Sequence, residues 1–145
     1  MPNGYPAPGE VVDGKYQIER MLGEGGMGAV ARAHHLHLRS SVALKFMNPQ
    51  FAAIPGAVDR FFNEGVAASK IQSEHIVRVF DVCRAPSGAP CLVMECLDGA
   101  DLAAILEQSG PLPIGRALHF TLQILRGLQV AHAAGVVHRD MKPSN

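Results

Sequence analysis

The chain has 145 residues, thirteen basic and thirteen acidic side chains, a formal net charge of zero and 48% hydrophobic content. That length suits one ordinary domain with a real core, and no block of like charge marks a nucleic-acid or anionic-membrane partner. Three cysteines, Cys83, Cys91 and Cys96, lack C-x-x-C spacing and are read as reduced thiols of a cytoplasmic protein rather than a zinc site or a disulfide framework.

The N-terminus carries no basic region followed by an apolar run, so no signal peptide is expected. Residues 1–14 hold three glycines and three prolines without periodicity, and 1–15 reads as a flexible leader. A strand-like alternation follows over 16–22, ending at Gly23. Next comes Gly23-Glu24-Gly25-Gly26-Met27-Gly28-Ala29-Val30, a G-x-G-x-x-G-x-V pattern. Glycines there allow backbone amides to approach phosphate oxygens without side-chain obstruction. A dinucleotide-binding turn uses the same spacing but opens a helix, and a purely structural turn is a third reading. Residues 29–33 are compatible with helix or strand, so the pattern alone leaves all three open.

Val42-Ala43-Leu44-Lys45-Phe46 is an apolar strand with one lysine, which needs either a charge partner or a route to solvent. Residues 48–54 read as a connecting loop. Residues 58–71 form an amphipathic helix, with Val58, Phe61, Gly65, Ala68 and Ile71 on one face and Glu64 beside it. Gly65 costs roughly 1 kcal/mol relative to alanine in a helix interior, which suggests an easily displaced helix. Residues 76–82 and 91–95 alternate as strands around a turn at 85–90, completing a sheet of about five strands. A short helix over 102–108 stops at Ser109-Gly110-Pro111. Pro113 opens a long helix to about Ala134, with Leu118, Leu122, Leu125 and Leu128 on one stripe and Gly135 as its cap. His119, Gln123, Arg126, Gln129 and His132 make the stretch 117–137 too polar to span a membrane. An anchor further downstream in a longer parent is left open. His34, His35 and His37 have no cysteine or carboxylate companions and are read as a polar turn, not a metal site.

The chain closes on His138-Arg139-Asp140-Met141-Lys142-Pro143-Ser144-Asn145. An aspartate, a lysine two positions on and an asparagine five positions on suit phosphoryl transfer: a carboxylate to orient a hydroxyl, an ammonium to offset phosphate charge, an amide oxygen for Mg²⁺. This loop resembles the H-R-D-x-K-x-x-N catalytic loop of eukaryotic-like protein kinases, and its Lys-Pro resembles the serine/threonine branch. The glycine pattern, the Lys45 strand and helical Glu64 occur in the same family order, and the Gly-Glu-Gly-Gly-Met-Gly loop is similar to that of bacterial members.

The resemblance implies an α+β, protein-kinase-like fold. It places an antiparallel-sheet N-lobe with one regulatory helix over 16–96, then a hinge and the first helices of an incomplete α-helical C-lobe over 97–145. It implies ATP and Mg²⁺ as ligands and a protein serine or threonine as acceptor. Asp140 would be the base, Lys142 a γ-phosphate partner and Asn145 a Mg²⁺ ligand. Gly23, Glu24, Gly25, Gly26, Met27 and Gly28 would cover the phosphates. Lys45 would meet the α- and β-phosphates, supported by Glu64. Leu22, Val30 and Ala43 would sandwich adenine, with Met94 as gatekeeper. The backbone at Glu95 and Leu97 would bond the base, and Asp101 would approach the ribose. Ala68 is smaller than the side chain usual at its helix position, so lobe coupling is expected to be weaker.

The family's Asp-Phe-Gly segment, activation loop and substrate-binding helices would lie beyond residue 145. The 145-residue chain by itself is therefore expected to be inactive and poorly soluble, with its leucine stripe uncovered and prone to association. The alternative reading is a catalytically inactive module, from a truncated kinase gene, that binds nucleotide or another protein.

Overall fold

The computed structural model describes residues 4–26 and 28–145. The chain divides into two units, Met1–Lys70 with Arg78–Cys96, and Ile71–Val77 with Leu97–Asn145.

The first unit is a six-stranded antiparallel sheet with two helices. Its strands are β1 (Val11–Val12), β2 (Tyr16–Gly25), β3 (Gly28–His35), β4 (Ser40–Met47), β5 (Val79–Arg84) and β6 (Pro90–Glu95), in the order β1-β2-β3-β4-β6-β5. The alternation of residue types decides which face is core. Ala31, Leu44 and Val93 lie opposite one another on β3, β4 and β6 and are at most 1% exposed. With Val12, Ile18, Phe46 and Cys91 they form the apolar interior.

Residues 9–15, expected to belong to a flexible leader, are part of this sheet. Val12 is wholly buried, Val11 and Val12 pair with Gln17 and Tyr16, and the Gly9 amide donates to the Ile18 carbonyl at 2.8 Å. Asp13 and Gly14 both have positive φ, 51° and 65°, as the central pair of a type I′ turn requires, and residues 13–15 separate the paired Val12 and Tyr16. The Lys15 amide closes that turn on the Val12 carbonyl at 3.1 Å. Ahead of it, the Tyr5 ring lies 6.1 Å from that of Phe46.

Two helices follow β4. The segment 48–54, expected as a loop, contains α1 (Pro49–Ala52), with Asn48 as N-cap and proline in its first turn. The α2 helix (Ala57–Ser69) packs on β5 and β6, and Ile71 lies beyond its end. Gly65 explains that packing: a Cβ there would collide with the Leu92 side chain and come within 3.3 Å of Val82. Its glycine is thus a close-approach position, a packing reason for a residue that sequence reading took only as a weak point of the helix.

The strand β5 begins at Val79 rather than at Ile76 and pairs with β6 so that Cys83 faces Cys91, Cα atoms 5.1 Å apart. The two are joined as a disulfide, and Cys96 is free. This corrects the expectation of three reduced thiols. The cause is register: the hairpin sets the two positions directly opposite each other, within the separation a disulfide needs.

The second unit holds α3 (Leu102–Ser109) and α4 (Ile114–Ala133). The end of α4 is closed by two bonds, Val136 to the Ala131 carbonyl and Gly135 to the His132 carbonyl, both 2.9 Å. Gly127 and Ala131 are its buried positions, and a Cβ at Gly127 would come within 3.0 Å of the His75 carbonyl oxygen. Leu118, Leu122 and Leu125 on the same helix are more than half exposed. Among the described residues no helix is long and apolar enough to cross a membrane.

Candidate active site

The sheet settles what the glycine pattern is. Gly25 and Gly28 pair across a hairpin, and β3 continues from it as a strand, so no helix opens there and the dinucleotide reading falls. Only glycine fits at position 28: its φ is 143°, and a Cβ would strike the Phe46 carbonyl oxygen. Gly23, Gly25 and Gly26 instead have open space where a Cβ would be, leaving room for a phosphate to reach the backbone. Met27, expected within this loop, lies outside the described residues.

On β3, β4 and β6 the pairing Val30↔Lys45↔Leu92 and Ala43↔Met94 puts Val30, Ala43, Lys45 and Met94 on one face, opposite the apolar interior. Four residues expected around a nucleotide are brought together by register. Leu22 is exposed near the end of β2, and Glu24 lies two residues further on. Glu95 ends β6, its amide donating to the Arg78 carbonyl at 2.9 Å. The expected Lys45–Glu64 pair is not formed. Lys45 is the exposed position in an otherwise buried run, Glu64 is exposed on α2, and neither has an ion-pair partner among the described residues.

In the second unit Leu97 is exposed, and Asp101 is the N-cap of α3, its Oδ1 accepting from the Ala104 amide at 2.8 Å. The neighbouring Ala103 amide, another donor that the helix itself cannot satisfy, bonds the Pro143 carbonyl at 3.0 Å. The start of α3 therefore anchors the loop of residues 138–145. Sequence reading missed this link because it joins residues forty positions apart.

Within the loop the side chains of Lys142 and Asn145 converge on Asp140. Lys142 Nζ is 2.9 Å from Asp140 Oδ2, and Asn145 Nδ2 donates to the Asp140 carbonyl at 2.6 Å and to Oδ2 at 3.2 Å. The Asp140 amide donates to His138 Nδ1 at 3.3 Å, and Asn145 N closes the turn on the Lys142 carbonyl at 3.0 Å. Arg139 is held at a φ of 64°, a region that costs a non-glycine residue about 1–3 kcal/mol. The bonds from Lys142 and Asn145, aided by the charges of Lys142 and His138, hold the Asp140 carboxyl below its usual range. Because Asn145 commits its amide nitrogen to Asp140, its Oδ1 is the atom left to face a cation, which fits a Mg²⁺ ligand.

Residues 16–145 match the protein kinase domain family, and the chain belongs to it. It is 40% identical over 137 residues to the serine/threonine-protein kinase pkn3 of Myxococcus xanthus, covering 94% of this chain and 25% of that protein. It is 39% identical over 132 residues to the serine/threonine-protein kinase PknH of Mycobacterium tuberculosis, covering 91% of this chain and 21% of that one. The crystal structure of the M. tuberculosis PknI kinase domain superposes with a TM-score of 0.86 at 31% identity, over 97% of this chain and 56% of that one. The chain thus spans a quarter or less of these curated relatives and just over half of that solved domain.

Proposed function

We propose that this chain is the nucleotide-binding and catalytic-loop portion of a protein serine/threonine kinase, which transfers the γ-phosphate of ATP to a protein hydroxyl. The observation that carries the reading is the convergence of Lys142 and Asn145 on one ionised carboxylate, Asp140. A carboxylate held ionised can orient a serine or threonine O–H and accept its proton as the oxygen attacks phosphorus and the bond to ADP breaks. Lys142, already beside Asp140, offsets the charge of the transferring phosphoryl group. Lys45 and the amides of the glycine hairpin hold the phosphates, and Val30, Ala43, Leu22 and Met94 receive the adenine. The backbone at Glu95 and Leu97 is assigned to the base edge and Asp101 to the ribose. Mg²⁺, held in part by Asn145, would supply further charge neutralisation.

The test has two arms. One is ATP binding by the 145-residue chain with and without Mg²⁺; the other is phosphotransfer by the protein made from its complete coding sequence. Asp140→Asn is expected to keep nucleotide binding and lower phosphotransfer at least about a hundredfold. Nucleotide binding with no phosphotransfer by the wild type would replace the kinase reading with that of an inactive binding module.

A further inference from the structure

The side chain of Asn48 bridges two structures that are separate in sequence. Its Oδ1 accepts from the Gln50 amide at 2.9 Å, capping α1, while its Nδ2 donates to the Gly26 carbonyl at 2.9 Å. The amide orientation is fixed from both ends, since a flip would set donor against donor and acceptor against acceptor. A second contact lies alongside: Gly28 pairs with Met47, and its missing Cβ lets the hairpin settle on the Phe46 carbonyl. The tip of the glycine hairpin is thus fastened to the end of β4 by one side-chain bond and one close backbone approach.

We propose that Asn48 is a positioning residue for nucleotide binding. It ties down the glycine hairpin and turns the Gly26 carbonyl oxygen toward the protein, away from the path of a phosphate. A carbonyl oxygen facing a phosphate is repulsive, and an untethered hairpin must be ordered anew at each binding event. The role rests on the nucleotide-binding reading above, whereas the tie itself does not.

The two functions of the side chain are separable by substitution. Asn48→Asp keeps the acceptor that caps α1 and loses the donor to Gly26; Asn48→Ser keeps a cap without adding charge and is too short to reach Gly26. Amide hydrogen exchange over residues 23–28 is measured first, with ATP absent. Both variants are expected to exchange there about tenfold faster than wild type, with exchange in α1 and thermal stability little changed. ATP affinity is expected to fall about three- to tenfold in both, the worth of one neutral hydrogen bond. Hairpin exchange equal to wild type in both variants would overturn the tie. Faster exchange with unchanged ATP affinity would overturn the positioning role. A wild type that binds no ATP would instead sink the nucleotide reading, and with it the positioning role, while the exchange arm still decides whether the tie exists.

Discussion

Asp140 is held ionised by its neighbours rather than by burial, and the largest contribution is the hydrogen bond from Lys142, followed by that from Asn145. A carboxyl lowered in the folded state contributes stability above its ordinary titration range, near pH 4, and loses it as the pH falls through the folded value. Lys142→Met should therefore raise the Asp140 pKa toward the usual range, seen as an upward shift of its carboxyl titration by NMR. An unmoved titration would mean that Asn145 and His138 suffice. The loop residues were legible because their chemistry lies in local spacing: positions 138, 140, 142 and 145 meet within one turn of chain. The Lys45–Glu64 pair was not legible as to state. Spacing places Glu64 on a helix beside the sheet, but whether two exposed side chains close on each other depends on helix placement, which no local pattern encodes.

At the level of elements, α2 meets the sheet through a position with no side chain. Gly65→Ala sets two effects in opposition. Helix propensity favours alanine by roughly 1 kcal/mol, whereas overpacking against Leu92 and Val82 costs about 1–3 kcal/mol. Leu92 is 9% exposed, with little room to retreat, so the substitution should destabilise the chain in urea denaturation. A gain in stability would show that α2 shifts outward freely. Sequence periodicity found this helix but could not distinguish a weak glycine from a contact glycine, because the difference lies on the facing strand. The β1–β2 hairpin was missed for another reason. Asp13-Gly14 is a strong two-residue hairpin signal, but the Gly/Pro content around it masked the two-residue strand. The Cys83–Cys91 bond is within reach of the sequence, since the two cysteines flank the turn at 85–90 almost symmetrically. C-x-x-C spacing is blind to such a bond, because cross-strand partners are set by hairpin register and not by a fixed short interval.

For the whole molecule, a net charge of zero offers little mutual repulsion, and α4 carries Leu118, Leu122 and Leu125 at 58%, 55% and 54% exposure. Sedimentation of the 145-residue chain should show concentration-dependent association. Replacing those three leucines with glutamate should abolish it without unfolding the sheet unit, to which α4 does not belong. Association that persists in the triple variant would place the contact elsewhere. The kinase class was readable from the chain because the glycine pattern, the Lys45 strand, helical Glu64 and the loop 138–145 keep their order, whereas the division between units needed the chain's contacts: residues 71–77 group with the helices although they precede two strands. One consequence concerns how the protein is handled. The family match begins at Tyr16, and a chain trimmed to that residue would lose β1. The row of β2 groups facing it would then become an open rim, and Tyr16 and Ile18 would lose the cover of Val12. An unpaired strand rim of that kind recruits other chains, so a two-residue strand serves as the molecule's guard against fibre-like stacking.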